Sequence, residues 1–349
     1  MQYFVYAIIA LIIFSFLFPK SRFLSILIFS AMWLLWGFNT MNGDYDNYDR
    51  FFDNSDITEL TIYEPLYLLL NRLIQGFGFD FSAFMLIYSF IVLSLLLYFT
   101  SKSKYPALFS SLYFLNFIME YVFMRNYLAN ALLLVAIVFC ATSTKHKNIK
   151  IFILLLTASM FHVTSIMYLM FYAIVIRRIS DKNLLLVPIV ASFFVGFVFN
   201  FISLDPGKLG DKLSVYTDNA TPTGPILMHL LIVVMSLIYF KFFNRNFRRF
   251  TSQSDTNFLL VLKRFNIISL AYIPAYIYIP YMTRFFRVLF PVNIFLGLLF
   301  FYVSRTYSQK IYAFFYVLVV FILMCYRFST STIDDTFIAL FINNKIFTL

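Results

Sequence analysis

Residues Phe81–Thr100 read FSAFMLIYSFIVLSLLLYFT, twenty residues without a charged side chain. A helix rises about 1.5 Å per residue, so this segment can cross the roughly 30 Å hydrocarbon core of a bilayer. The rest of the chain is similar, since 62% of its 349 residues are hydrophobic and only 12% are charged. A soluble domain has about 25% charged residues, and the strands of a membrane barrel would alternate in polarity. The sequence therefore predicts an all-α, polytopic membrane protein.

Apolar segments of this kind recur along the chain, and we predict roughly 10–13 membrane segments in a single domain, residues 1–349. Loops at about 40–80 and 203–224 are predicted to be external, with Glu64–Asp80 as an amphipathic helix at the membrane surface. The predicted spans are Gln2–Phe18, Phe23–Phe38, Phe81–Thr100, Tyr105–Phe123, Tyr127–Thr142, Leu184–Ile202, Pro225–Phe243, Phe258–Tyr278, Phe285–Val303 and Ile311–Phe328.

Lys and Arg concentrate in the short loops between these segments, and basic loops mark the cytoplasmic side. This pattern accounts for the net charge of +11, so the charge is not a sign of nucleic-acid binding. The basic groups include Lys102–Lys104, Lys145–Lys150 and Lys241–Arg249. The acidic loop Thr40–Tyr63 and the near-neutral loop Ser203–Gly224 are then outside, together with the amino terminus.

One apolar segment, Ile151–Ile176, has basic residues on both sides, Lys145–Lys150 and Arg177–Lys182. A single span of 26 residues would put the second basic group outside and invert every later loop. We therefore favour two half-helices, broken at Phe161–His162, that enter from the cytoplasm and return. Broken helices at membrane depth line a cavity or the protein interior.

Carboxylates gather directly after the second span, in the stretch Gly43–Asp49. A carboxylate near a membrane surface can take a proton from a sugar hydroxyl or hold a metal. Asp44 and Asp46 resemble the carboxylate pair of membrane sugar transferases that use lipid-phosphate donors, although a solvated acidic loop would have the same composition. Glu64, before Pro65, is a second carboxylate candidate.

Cationic side chains are predicted at the same outer side. Arg125 and Asn126 begin a helix, and Arg284 and Arg287 are three residues apart, so their guanidinium groups share one helix face. Guanidinium groups make bidentate contacts to phosphate oxygens, although interfacial anchoring is an alternative for each arginine. His162 lies at the predicted break, where it is either a functional residue or a histidine that packs in the core. It has no second His or Cys at metal-ligand spacing, and we predict no metal or cofactor.

Five motifs in this order resemble the EpsG-like branch of the Wzy-type polysaccharide polymerases. The resemblance covers about Trp36 to Leu299 and differs from the family pattern where Asn39 or Thr40 replaces an Arg and where Asn126 replaces a Gln. The motifs are Gly43-x-Asp44-x-x-x-Tyr48, Glu64-Pro65-Leu66-Tyr67, Met124-Arg125-Asn126-Tyr127, Phe161-His162 with the small residues around it, and Arg284-Phe285.

The resemblance implies an enzyme that transfers a glycan from polyprenyl diphosphate onto a lipid-linked repeat, at the outer face of the bacterial cytoplasmic membrane. Asp44 is the expected base and Glu64 the second choice, while His162 supports the site or binds the acceptor. The arginines would hold the leaving diphosphate. The implied catalytic residues are Asp44, Glu64 and His162, and the implied substrate-binding residues are Tyr48, Arg125, Asn126, Arg284 and Arg287.

The implied partners are the polyprenyl-diphosphate-linked oligosaccharide, membrane lipid, a chain-length regulator and a flippase, with no nucleic acid. The fold could resemble that of the glycosyltransferase-C enzymes. Two other functions remain open: a single-sugar transferase with a polyprenyl-phosphate donor and a metal at Asp44 and Asp46, and a flippase or transporter of lipid-linked glycans. Transporters often place charges at the membrane midplane, whereas most of these residues lie near the outer edge.

Overall fold

A computed structural model describes residues 1–54, 64–142, 145–176, 179–186, 190, 223–250, 252–278, 280–330 and 333–347. These residues contain no β-strand, which confirms the all-α class. Three segments are 3₁₀-helical, Val163–Val175, Pro280–Val288 and Lys345–Phe347, and Asp334–Ile338 is π-helical. The α-helices are α1 Gln2–Leu17, α2 Arg22–Gly37, α3 Tyr45–Asp53, α4 Pro65–Gly76, α5 Phe81–Thr100, α6 Pro106–Glu120, α7 Met124–Ala141, α8 Lys147–Phe161, α9 Asp181–Leu184, α10 Thr223–Phe250, α11 Gln253–Ser269, α12 Tyr272–Tyr278, α13 Leu289–Val303, α14 Tyr307–Ser329 and α15 Ala339–Ile342.

Within the described residues, six helical segments are long and apolar enough to cross a membrane. They are α5, α7, the first part of α10, α11 with α12, α13 with the end of the preceding 3₁₀ segment, and α14. The polytopic class is therefore confirmed. Helices α1 and α2 are also apolar but have only 16 residues each. Most of the predicted span Leu184–Ile202, and of the loop Ser203–Gly224, lies outside the described residues.

Helix α10 differs from its predicted span, which ended at Phe243. The helix continues through the basic stretch Lys241–Arg249 and ends at Phe250. This stretch contains neither Gly nor Pro, and Lys and Arg are good helix formers. The basic residues that we expected in a loop are therefore the last turns of a helix.

The predicted break at Phe161–His162 is confirmed. Helix α8 ends there because the His162 backbone is extended, with φ −148° and ψ 116°. The ring centroids of Phe152 and Tyr172 lie 5.9 Å apart, although these residues are ten positions before and after His162. A continuous helix would separate them by about 30 Å. The chain therefore reverses at His162. The cytoplasmic location of both flanks stays a prediction. Arg177 and Arg178 lie outside the described residues.

Helices α6 and α7 form the centre of the protein, and almost every residue on both is buried. Helix α2 packs against α5 and α6. Small polar side chains join neighbouring helices, as between Ser25 Oγ and Ser110 Oγ, 2.7 Å apart. Such contacts are common where membrane helices pack closely. A charged group on α6 or α7 that faces inward is consequently removed from both water and lipid.

The described residues of the predicted external region 40–80 form two helices. The amphipathic helix is confirmed as α4, although its place at the membrane surface stays a prediction. Helix α3 was not anticipated, because its acidic residues resemble those of a loop. It forms because Tyr48 and Phe52, four residues apart on one helix face, are buried against α4 and α5. The two helices bring the Gly43–Asp49 motif next to Glu64.

Candidate functional site

Glu64, Arg125 and His162 form one cluster, although 61 and 98 residues separate Glu64 from the other two. Glu64 directly precedes α4, Arg125 is in the first turn of α7, and His162 is at the turn of the hairpin. Glu64 Oε1 lies 2.8 Å from His162 Nδ1 and 3.3 Å from the Val163 backbone N–H, which donates to it. Arg125 Nη1 donates to Glu64 Oε2. A single carboxylate therefore holds both the arginine and the turn of the hairpin.

The Glu64 side chain is almost fully buried, with 4% exposed, whereas 31% of the Arg125 side chain is exposed. Burial raises the pKa of the Glu64 carboxyl, but the hydrogen bond with His162 and the charge of Arg125 outweigh this effect, so its pKa lies below the ordinary value. Glu64 is consequently an ionised anchor with both oxygens occupied. Such a carboxylate is better suited to orienting an imidazole than to accepting a proton itself.

Two tyrosine rings flank the Arg125 guanidinium. Its central carbon lies 5.5 Å from the ring centroid of Tyr48 and 5.6 Å from that of Tyr67, within the range of cation–π attraction. Burial raises the pKa of the Tyr48 hydroxyl; Asp44 and Glu64 also raise it and Arg125 lowers it. The rings thus orient Arg125, whose Nε has no hydrogen-bond partner among the described residues. That nitrogen is buried, and the exposed part of the side chain is what can meet a bound anion.

Asp44 lies at the start of α3, one turn before Tyr48, whose backbone N–H donates to the Asp44 carbonyl over 3.2 Å. Its side chain is half-buried. Among the described residues, the Asp44 carboxylate accepts no hydrogen bond and forms no ion pair. Asp46, the second carboxylate of the pair, is exposed. Asp44 therefore lies on the Tyr48 side of α3, and its carboxylate has no ion-pair partner among the described residues.

A second cluster surrounds Glu120 at the end of α6. Arg287 Nε lies 3.7 Å from Glu120 Oε1, and the side-chain amide of Asn130 donates to Glu120 Oε2 over 3.2 Å. Asn126 lies at 3.5 Å from the same oxygen. Arg287 Nη1 also donates to the Met119 carbonyl over 2.7 Å. Both Glu120 and Arg287 are buried, so this ion pair is largely removed from water.

Arg284 and Arg287 share one face, as their spacing predicted, because residues three apart are eclipsed in a 3₁₀ helix. Both guanidinium groups lie over the Phe123 ring, at 4.3 and 4.5 Å from its centroid. Arg284 is half-buried, and Arg287 is the more buried of the two. The turn Phe123–Asn126 thus touches both clusters, since Arg125 belongs to the first and Asn126 to the second.

The structure brings the predicted residues Asp44, Tyr48, Glu64, Arg125 and His162 together. Arg284, Arg287 and Asn126 adjoin them in the second cluster. Sequence reasoning missed Asn130, the contact of Tyr67 with Arg125, and the importance of Glu120. Glu120 was detectable, since an ionisable residue in an apolar helix is costly unless it is paired. Tyr67 stands in the motif Glu64-Pro65-Leu66-Tyr67 but was assigned no role, because a tyrosine beside a membrane helix is usually an interfacial anchor.

The arrangement combines an open carboxylate, an imidazole oriented by a second carboxylate, and several guanidinium groups. These groups can remove a proton from a hydroxyl and stabilise a departing anion. Among the described residues, no three His, Cys, Asp or Glu side chains come together as a metal site requires. The absence of a metal or cofactor stays a prediction.

Comparison with known protein families identifies a match over most of the chain. The model of the EpsG family covers residues 21–342, nearly the whole chain. No curated protein and no solved structure matches the chain, so a fold like that of the glycosyltransferase-C enzymes stays a prediction. The apolar helices and the family match together indicate a multi-pass bacterial membrane protein. The chain belongs to the EpsG family, a family of Wzy-like polysaccharide polymerases.

Proposed function

We propose that this protein transfers a glycan chain from polyprenyl diphosphate onto a lipid-linked repeat unit, at the outer face of the cytoplasmic membrane. The acceptor hydroxyl oxygen attacks the anomeric carbon of the donor sugar, and the bond from that carbon to the diphosphate oxygen breaks. Polyprenyl diphosphate leaves with the bonding electrons, and a base takes the hydroxyl proton. The family match favours this reaction over a single-sugar transferase or a flippase.

The observation that carries the proposal is the cluster of Glu64, Arg125 and His162 beside Asp44. The reaction needs a base for the hydroxyl and a cation for the departing diphosphate, and these groups supply both within one site. The carboxylate of Asp44 is open, so we assign it the role of base. His162 would bind the acceptor sugar through its second ring nitrogen, since Nδ1 is held by Glu64.

Arg125 and Arg284 are assigned to the leaving diphosphate, because each guanidinium is only partly buried. Arg287 shares this role from a more buried position, where its pairing with Glu120 fixes the 3₁₀ segment. Tyr48 orients Arg125, and Asn126 connects the turn to Glu120. Glu64 holds Arg125 and His162 in place, which leaves it as a weaker choice for the base than Asp44.

The substrates on this proposal are two lipid-linked glycans that enter from the outer leaflet. A flippase would deliver the repeat unit to that face, and a chain-length regulator would set the extent of polymerisation. With the carboxylates and arginines outside, the basic loops lie in the cytoplasm and the amino terminus lies outside.

A complementation experiment in cells that lack the polymerase tests the proposal. We expect Asp44→Asn to leave single lipid-linked repeats and to reduce polymer by about 10²- to 10⁴-fold, the usual cost of losing a general base. Asp53→Asn is the matched control, because Asp53 is exposed at the end of the same helix. Normal polymer from Asp44→Asn would refute the base assignment. No build-up of lipid-linked repeats in the deletion strain would refute the polymerase itself.

A further inference from the structure

The loop that carries Asp44 is joined to a distant segment, residues 339–347. Two backbone hydrogen bonds make the junction: the Thr40 N–H donates to the Asn343 carbonyl over 2.8 Å, and the Lys345 N–H donates to the Phe38 carbonyl over 3.0 Å. Asn39 and Asn344 face each other there as an isolated antiparallel bridge. The segment thus fixes the backbone at the end of α2, just before Asp44.

Buried asparagine side chains reinforce this junction. Asn39 Nδ2 donates to the carbonyls of Ala339 and Asn343 over 2.9 and 3.0 Å. Asn344 Nδ2 donates to the Leu35 carbonyl over 2.7 Å, which satisfies one of the carbonyls left open at the end of α2. Each asparagine is only 3% exposed. Side chains buried and bonded in this way have one allowed position.

The hydrogen bonds continue from Asn39 to Asp44. Asn42 Nδ2 donates to Asn39 Oδ1 over 3.0 Å, and the Asp44 backbone N–H donates to Asn42 Oδ1 over 3.1 Å. An Asn that accepts from the backbone two residues later forms an Asx-turn, which fixes the chain direction at that point. The chain of contacts therefore runs from segment 339–347 through Asn39 and Asn42 to the backbone of Asp44.

We propose that Asn39 and Asn42 are positioning residues that transmit the placement of segment 339–347 to the carboxylate of Asp44. The inference rests on the proposed function, in which Asp44 is the base. A base must lie within roughly 3 Å of the proton that it takes, so a small displacement of its backbone lowers the rate. Among the described residues, no ion pair holds the Asp44 carboxylate in place. The asparagine chain supplies that position from outside the catalytic cluster.

The test measures kcat and KM for purified variants in vesicles, with lipid-linked repeat extracted from cells that lack the polymerase. We expect Asn42→Ala to lower kcat by about tenfold, the effect of misplacing a group held by one hydrogen bond, with KM unchanged. Thermal stability should also fall, because the buried Asn39 Oδ1 loses its donor. Asn42→Ser should recover most of the rate, because a serine hydroxyl can accept from the N–H two residues on. Asn47→Ala, on the exposed face of α3, is the matched control and should behave as wild type.

The same substitution in an Asp44→Asn background separates positioning from general stability. If Asn42 acts through Asp44, Asn42→Ala should cost nothing further in that background. An unchanged tenfold loss there, a wild-type rate for Asn42→Ala alone, or an equal loss for Asn42→Ser would each overturn the inference. If Asp44→Asn is slow and Asn42→Ala has a normal rate, only the positioning role is rejected. If Asp44→Asn keeps a wild-type rate, the base assignment on which the inference rests is rejected.

Discussion

Replacement of Glu64 by Gln tests the anchoring role of this carboxylate most directly. Glutamine has nearly the same shape and can still accept one hydrogen bond, but it has no charge. Hydrogen bonds to charged groups stabilise by about 1.5–3 kcal/mol and neutral ones by about 0.5–1.5 kcal/mol, so the contacts with Arg125 and His162 each weaken by about 1 kcal/mol. The charge of Arg125 also loses its partner, at a cost reduced by its 31% exposed side chain.

The free energy of unfolding should therefore fall by about 2–4 kcal/mol in Glu64→Gln, and Tm in detergent by about 4–8 °C. The double variant Glu64→Gln/Arg125→Gln should regain at least half of this loss, because no unpaired charge remains, and yet should make no polymer. Asp181→Asn is the matched control: Asp181 accepts from Lys263 and Arg264 over 2.8 and 3.2 Å, and it belongs to neither cluster of the proposed site. Asp181→Asn should lower Tm but leave the amount of polymer made per folded protein molecule unchanged.

Purified variants in detergent give Tm from a fluorescence melting curve, and complemented deletion cells give the yield and length of polymer. The anchoring argument fails if Glu64→Gln is as stable and active as wild type. It also fails if the losses of the two single variants simply add in the double variant, because additive effects show that the two side chains do not interact.

Three further predictions concern charge and topology. Arg284→Lys and Arg287→Lys should each lose most of the polymer while inserting normally, since lysine keeps the charge but not the planar fork; wild-type polymer from both would leave only an anchoring role. Cysteines at Lys147 and Lys182, in a background without Cys140 and Cys325, should resist an impermeant thiol reagent in intact cells, and labelling at position 182 alone would contradict cytoplasmic flanks of the hairpin. Because the folded pKa of Glu64 lies below its ordinary 4.5, its stabilising contribution is complete above pH 4.5 and is lost as the pH falls through the lowered value; Tm of Glu64→Gln should change less than that of wild type over this acid range.

Hydropathy and loop charge predicted the helical membrane class and the break at Phe161–His162. Both features depend on local composition, which a sequence displays directly. The continuation of α10 through Lys241–Arg249 was missed for a related reason. Charge identifies the side of a membrane but not the end of a helix, and this basic stretch contains no residue that ends one.

The candidate site was predicted as separate motifs, and their pairing was not. Nothing local in the sequence indicates that Glu64 contacts His162, because the contact requires the hairpin to reverse and α4 to pack beside it. Burial of Glu120 is likewise visible only once α6 lies at the centre of the protein. Arg284 and Arg287 were placed on one face correctly, since a spacing of three residues brings side chains together in both α and 3₁₀ helices.

The separation of Glu64 from its partners along the chain has a consequence for how the protein is made. Ribosomes add about 5–20 residues per second, so His162 is synthesised about 5–20 s after Glu64, which precedes it by 98 residues. Throughout that interval Glu64 cannot contact His162. It also cannot contact Arg125 until 61 of those 98 residues have been added. An unpaired carboxylate is costly inside lipid. We therefore expect Glu64 to stay hydrated during biogenesis and α4 to pack against the bundle after the hairpin has been inserted.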